Sequence, residues 1–160
     1  MKALFLYRGP VHSGKTSGLQ SWLTNMNASG ILAPIIAGKR YLLDIKTNEK
    51  RKLELNEGNR TEKVIEVGKY KFDQSVFEWG CEIILHAIKE KPEWLIIDEF
   101  GLLELHDRGL AKAIHAIFNY QEENGDSKII IVVRDSLIER FLNKYNLKES
   151  DVKRFSISTS

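Results

Sequence analysis

Gly9-Pro10-Val11-His12-Ser13-Gly14-Lys15-Thr16 satisfies G-x-x-x-x-G-K-[ST] at every defined position, and its neighbours are the ones this pattern requires. Residues 3–8 form an apolar run that stops at Gly9-Pro10, which predicts a buried strand entering a tight loop. Beyond the loop, Leu19, Trp22, Leu23 and Met26 recur at the spacing of one helical face, and Asn27-Ala28-Ser29-Gly30 reads as the stop. A strand, a glycine loop and a helix in that order turn backbone N–H groups and a helix N-terminus toward one point, where phosphate oxygens bind. Lys15 adds a cation for the β- and γ-phosphates, and the Thr16 hydroxyl is a ligand for Mg²⁺. Average composition yields such a string on the order of once in 30,000 windows, so chance is a poor account of it. Ser13 and Ser17 complete the candidate nucleotide contacts of this segment. His12 reads either as a phosphate partner or as a loop position that another residue would fill equally well.

The rest of the chain supplies a frame for this loop. From residue 31 to about 72 the apolar period becomes two, with Leu43/Ile45 and Leu53/Leu55 flanking Thr47-Asn48-Glu49-Lys50, which predicts an inserted β-hairpin. Residues 57–62 are the expected mobile stretch. A helix over about 74–89 carries Phe77, Cys81, Ile84 and Ile88 on one side, and the strand Trp94-Leu95-Ile96-Ile97-Asp98 follows. A third helix near 108–120 leads to Lys128-Ile129-Ile130-Ile131-Val132-Val133, a run that fits a strand buried on both faces. Ser136-Leu137-Ile138-Glu139 has the capping-box pattern and opens a last helix to about residue 145, before an edge strand near 152–157. Alternating helix and buried strand predict an α/β fold: a mainly parallel sheet with helices on both faces, one domain over 1–160, and the hairpin inserted at about 31–72.

Phosphoryl transfer needs a metal anchor facing the loop, and Leu95-Ile96-Ile97-Asp98-Glu99 is an apolar strand ending in two acids, a Walker-B pattern. In an open parallel sheet ligands bind beyond the carboxyl ends of the strands, so Asp98 should emerge beside the phosphate loop and hold a water of the Mg²⁺ shell. Glu99 is placed to deprotonate an attacking water. Arg134 ends the next buried strand; it either contacts the γ-phosphate or pairs with Asp135 or another acid. Trp22, Trp79 and Trp94 read as core, and Lys50-Arg51-Lys52 as a solvated hairpin edge.

Composition narrows the partners. A net charge of +2 spread over 160 residues gives no basic arm, which argues against nucleic acid. Cys81 is the sole cysteine, so neither a disulfide nor a zinc site is expected, and a reducing, cytoplasmic setting fits. No apolar run is long enough to span a membrane, so a soluble protein is expected.

Four motifs in a fixed order are similar to those of the THEP1-type nucleoside-triphosphatases. After the phosphate loop come Gly30-Ile31-Leu32-Ala33-Pro34, a hairpin containing Arg40-Tyr41-Leu42-Leu43-Asp44-Ile45, Gly68-Lys69-Tyr70-Lys71-Phe72-Asp73, and Ile97-Asp98-Glu99-Phe100-Gly101-Leu102-Leu103-Glu104-Leu105. The resemblance spans about residues 4–133. It implies a RecA-like P-loop fold, hydrolysis of ATP, GTP and other nucleoside triphosphates with little base preference, and nucleotide contacts at residues 9–16 and 98–105, which take in Phe100 and Gly101. The sequence departs from the family at Val11-His12, where a Pro-Gly pair is usual, at Ser17, and at Leu42-Leu43. Two other chemistries remain open on the residues alone: a phosphotransferase using Glu99 as base to an acceptor hydroxyl, and a nucleotide switch. For the switch, Asn143-Lys144-Tyr145-Asn146 lacks the terminal Asp that would read guanine.

Overall fold

The computed structural model describes residues 4–9, 14–56, 63–123 and 126–157. Pro10, Val11, His12 and Ser13 of the phosphate loop, and the stretch 57–62 expected to be mobile, lie outside the described residues. The strands are β1 (Leu4–Gly9), β2 (Ala28–Leu32), β3 (Ile35–Ile36), β4 (Lys39–Asp44), β5 (Lys50–Lys52), β6 (Val64–Val67), β7 (Tyr70–Asp73), β8 (Trp94–Phe100), β9 (Lys128–Arg134) and β10 (Lys153–Phe155). The helices are α1 (Lys15–Trp22), α2 (Gln74–Glu90), α3 (Leu102–Leu105), α4 (Ala111–Glu123) and α5 (Ile138–Lys144).

One sheet runs in the order β10-β1-β9-β8-β2-β4-β3, with β5 on the outer side of β4. Strands β10, β1, β9, β8 and β2 are parallel, and β4 turns antiparallel to β2. The alternation of β8 and β9 explains the two layers of helix. Leu95, Ile97, Ile129, Ile131 and Val133 face a core shared with α2, α4 and α5. Ile96, Ile130 and Val132 face a smaller core under α1. Both faces are covered, so every position of Ile129-Ile130-Ile131-Val132-Val133 is apolar and buried. Each such side chain contributes about 1.5–3 kcal/mol relative to exposure. Trp22 stands edge-on to Trp94 at 4.9 Å and to Phe155 at 5.0 Å, closing the α1 side below the helix. Trp79 and Trp94 are buried, as a core reading requires.

Three expectations are corrected. Ala28-Ser29-Gly30 does not merely stop a helix; it opens the fully buried strand β2 between β8 and β4. Small residues are required there, since a Cβ on Gly30, whose φ is +123°, would collide with the Ile96 carbonyl oxygen. The antiparallel hairpin expected within 31–72 is present, with Leu43 of β4 paired to Lys50 of β5. Strands β3, β4 and β5 extend the main sheet, and β6–β7 forms a separate two-stranded sheet tied to residues 53–55 through Leu55 N–H to the Lys71 carbonyl and Asp73 N–H to the Leu53 carbonyl. The helix expected over 108–120 is preceded by the short α3, and α4 begins only at Ala111 because Asp107 and Gly109 take positive φ. Ser136 makes no side-chain cap; a 3-10 turn over Asp135–Leu137 leads into α5 instead.

Candidate functional site

Strand β1 delivers Gly9 to the carboxyl edge of the sheet, where it pairs in register with Arg134 of β9. Gly14 (φ +79°) stands at the N-terminus of α1 and its carbonyl accepts the Gly18 N–H at 3.0 Å. Lys15 and Thr16 therefore occupy the first turn of α1, where backbone donors and the helix dipole favour an anion. Lys15 is buried although charged, with 8% of its surface exposed.

Strand β8 brings two carboxylates to the same edge. Asp98 is buried and accepts a hydrogen bond from the Thr16 hydroxyl at 2.6 Å and another from the Ala33 N–H at 3.0 Å. The β8–β9 ladder shifts register between Ile97 and Phe100, so Asp98 and Glu99 fall at an irregularity of the kind that re-aims side chains. Arg134 Nη2 lies 3.5 Å from Glu99 Oε1, so the pairing of Arg134 is with Glu99 rather than with Asp135. Topology explains this contact. Strand β9 separates β1 from β8, and Arg134 at its carboxyl end stands between Gly9 and the carboxylates.

Burial raises the Asp98 carboxyl above the usual carboxylate range, opposed by the Thr16 and Ala33 hydrogen bonds. Glu99 is also raised, first by burial and then by the neighbouring Asp98, while Arg134, Arg40 and Lys15 pull it back. Arg40 heads the hairpin motif quoted above, but the sequence assigns it no role in the site. Its Nη1 donates to the Ala33 carbonyl at 2.5 Å, and its charge acts on both acids. Within a strand its position is one of many alternating residues; the antiparallel pairing of β4 with β2 carries it to the site.

A cavity of about 470 Å³ gathers Gly14, Lys15, Thr16, Ser17, Arg40, Asp98, Glu99 and Arg134. Phe100 is not among these side chains. It is fully buried in the core against Phe141, with ring centroids 4.9 Å apart, and lines neither cavity, so the expected nucleotide contact at Phe100 is not found. Gly101 lies in an adjoining cavity and donates its N–H to Glu104 at 2.9 Å. Glu104 takes a second backbone donor, Leu110 N–H at 2.8 Å, and burial pushes its carboxyl up to about 7. A Cβ on Gly109 (φ +61°) would collide with its Oε2, so the turn after α3 closes directly on this carboxylate.

Among the described residues no cluster of His, Cys, Asp or Glu forms an all-protein metal cage. The adjacent Thr16 hydroxyl and Asp98 carboxylate instead form a small, hard, all-oxygen donor pair, which fits Mg²⁺ held jointly with phosphate oxygens and water. None of the described helices is long and apolar enough to cross a membrane.

A mainly parallel sheet with Gly9, Gly14 and helix α1 at its carboxyl edge, opposite an acidic strand end, defines a P-loop NTPase fold of the RecA-like type. The chain belongs to the NTPase family, whose model matches residues 7–160. It is similar to the crystal structure of THEP1 from the hyperthermophile Aquifex aeolicus, with TM-score 0.73 and 14% identity over 98% of this chain and 90% of that one. It is also similar to the solution structure of a human cancer-related nucleoside triphosphatase, with TM-score 0.66 and 17% identity over 99% of this chain and 90% of that one. No curated protein matches the chain.

Proposed function

We propose that the protein is a Mg²⁺-dependent nucleoside-triphosphatase that cleaves ATP, GTP and other triphosphates to diphosphate and phosphate with little base selectivity, in a cytoplasmic setting. The observation that carries this reading is the Thr16–Asp98 hydrogen bond, which closes the phosphate-loop helix onto the acidic strand end with Glu99 beside it. Lys15 and the N-terminus of α1 hold the β- and γ-phosphates. Thr16 and Asp98 would hold Mg²⁺, which supplies charge neutralisation of the phosphate oxygens when bound. Glu99 orients a water and accepts its proton; burial favours the protonated product of that step. Arg134 and Arg40 flank the carboxylates and stabilise charge that builds on the γ-phosphate. The buried Nε of Arg134 has no hydrogen-bond partner among the described residues, which suits a side chain that meets an added anion.

Low base selectivity rests on the family resemblance and on the absence of a guanine-reading segment. Lys144 of Asn143-Lys144-Tyr145-Asn146 is held by Asp107 at 2.8 Å and does not line the cavity. The test is Mg²⁺-dependent phosphate release from ATP, GTP, CTP and UTP by the wild type, Glu99→Gln and Lys15→Ala, with nucleotide binding measured in parallel. Cleavage of all four, binding without turnover in Glu99→Gln, and lost binding in Lys15→Ala are expected. Bound nucleotide with no phosphate release, and no effect of Glu99→Gln, would sink the hydrolase reading.

A further inference from the structure

A second cavity, of about 540 Å³, adjoins the first and shares with it Ile35, Arg40, Asp98, Glu99 and Arg134. Gly14, Lys15, Thr16 and Ser17 line only the first. The residues shared by the two cavities include Glu99, the base proposed above, so an acceptor in the second cavity would lie next to the carboxylate that serves the first. The volume of the second cavity falls in the range of small-molecule sites. The interior wall is apolar and partly aromatic: Leu42, Leu53, Phe72, Phe77, Leu103 and Leu110.

The acids of this wall are held, while Arg40 bonds only the Ala33 carbonyl and Lys69 stands over the Tyr70 ring. Glu54 is held by Lys39 at 3.3 Å and by the Arg40 N–H at 3.2 Å, Glu104 by two backbone N–H groups, and Arg134 by Glu99. The mouth is apolar as well. Of the six large hydrophobics exposed among the described residues, Ile35, Tyr70 and Leu102 stand on this cavity's lining, a concentration that free surface does not call for. Tyr70 and Phe72, stacked at 6.2 Å on β7, offer a ring surface along one side.

We propose that this cavity is an acceptor site for an aromatic or alicyclic alcohol, whose hydroxyl takes the γ-phosphoryl group in place of water. The proposal rests on the nucleotide-binding reading of the first cavity. The alcohol oxygen forms a bond to the γ-phosphorus while the bond from the γ-phosphorus to the bridging oxygen breaks. That electron pair stays on the nucleoside diphosphate, and the hydroxyl proton passes to Glu99, giving a phosphate monoester. A wall of leucine and phenylalanine explains why a β-sheet insertion encloses space next to a hydrolytic carboxylate: it selects the acceptor's body, and Glu99 handles the acceptor's hydroxyl.

The experiment offers benzyl alcohol, 2-phenylethanol and cyclohexylmethanol to the full-length protein with Mg²⁺ and ATP, and follows products by phosphorus NMR. In parallel, leucine-methyl spectra are recorded on titration of each alcohol without nucleotide. Phosphate monoester is expected, with shifts at the Leu42, Leu53, Leu103 and Leu110 methyls. Val67→Trp, which puts an indole into the cavity from β6, should lower the ratio of ester to inorganic phosphate by about tenfold or more. Tyr70→Ala, at the exposed rim, should lower the same ratio and serves if the first variant does not fold. Inorganic phosphate alone, with unmoved methyls, overturns the proposal and leaves hydrolysis standing. Methyl shifts without ester overturn the acceptor assignment, as does an unchanged ratio in the variants. Ester without hydrolysis upholds the proposal against the hydrolase reading, and bound ATP with neither product defeats both.

Discussion

Replacing Glu104 by glutamine should change the pH dependence of stability, because the native carboxyl is buried and raised from its ordinary 4.5 to about 7. As pH rises from 4.5, the unfolded chain releases the Glu104 proton first while the folded chain keeps it. The unfolded state then binds fewer protons, and wild-type stability falls through the window between about 4.5 and 7. The full loss is about 3 kcal/mol, because each pH unit of that window is equivalent to roughly 1.4 kcal/mol. Glutamine does not titrate and so removes this slope. It has a cost of its own: its amide carries one acceptor oxygen, so either the Gly101 or the Leu110 N–H loses its partner. An unsatisfied buried donor costs about 1–3 kcal/mol. The variant should therefore be less stable than wild type near about pH 5 and equal to it or more stable near about pH 8. Urea unfolding of both proteins across this range checks the difference, in which the contributions of Asp98 and Glu99 largely cancel. Two parallel curves would refute the reasoning, since they would show that Glu104 ionises in the folded protein as it does in the unfolded chain.

Arg40→Met should lower kcat by about a thousandfold if the guanidinium stabilises charge on the γ-phosphate, with a much smaller effect on nucleotide binding; equal losses in both would assign it to binding alone. Thr16→Val deletes both the hydroxyl that bonds Asp98 and a proposed Mg²⁺ ligand, so the Mg²⁺ concentration for half-maximal turnover should rise about tenfold or more, read from phosphate release against Mg²⁺. Gly30→Ala drives a methyl against the Ile96 carbonyl at a backbone φ of +123°, and guanidinium unfolding should show a loss of about 3 kcal/mol or more, with no stable fold as the extreme result. A loss below about 1 kcal/mol would mean that β2 and β8 do not approach as described.

The sequence alone determined the parts whose physics is local. The phosphate loop at 9–16 is legible because glycine, lysine and threonine at fixed offsets between a strand and a helix have one economical use. The apolar run into Asp98-Glu99, the strand at 129–133 and the helix found at Gln74–Glu90 are legible because burial imposes its period on consecutive residues. Only the tertiary structure decided what depends on distant segments meeting. Strand β2 hid behind Ser29-Gly30, residues that mark a stop when read locally and a close backbone approach when Ile96 is the neighbour. Arg40 bonds the Ala33 carbonyl, and its charge acts on Asp98, because β4 pairs with β2, a choice of strand partner that alternation along β4 does not encode. Arg134 reaches Glu99 because β9 inserts between β1 and β8. The second cavity exists because β6–β7 stands off the main sheet; its walls come from five separate stretches of chain, and no window of sequence contains them. Periodicity records which side of an element is buried, whereas a site is set by which buried sides face one another.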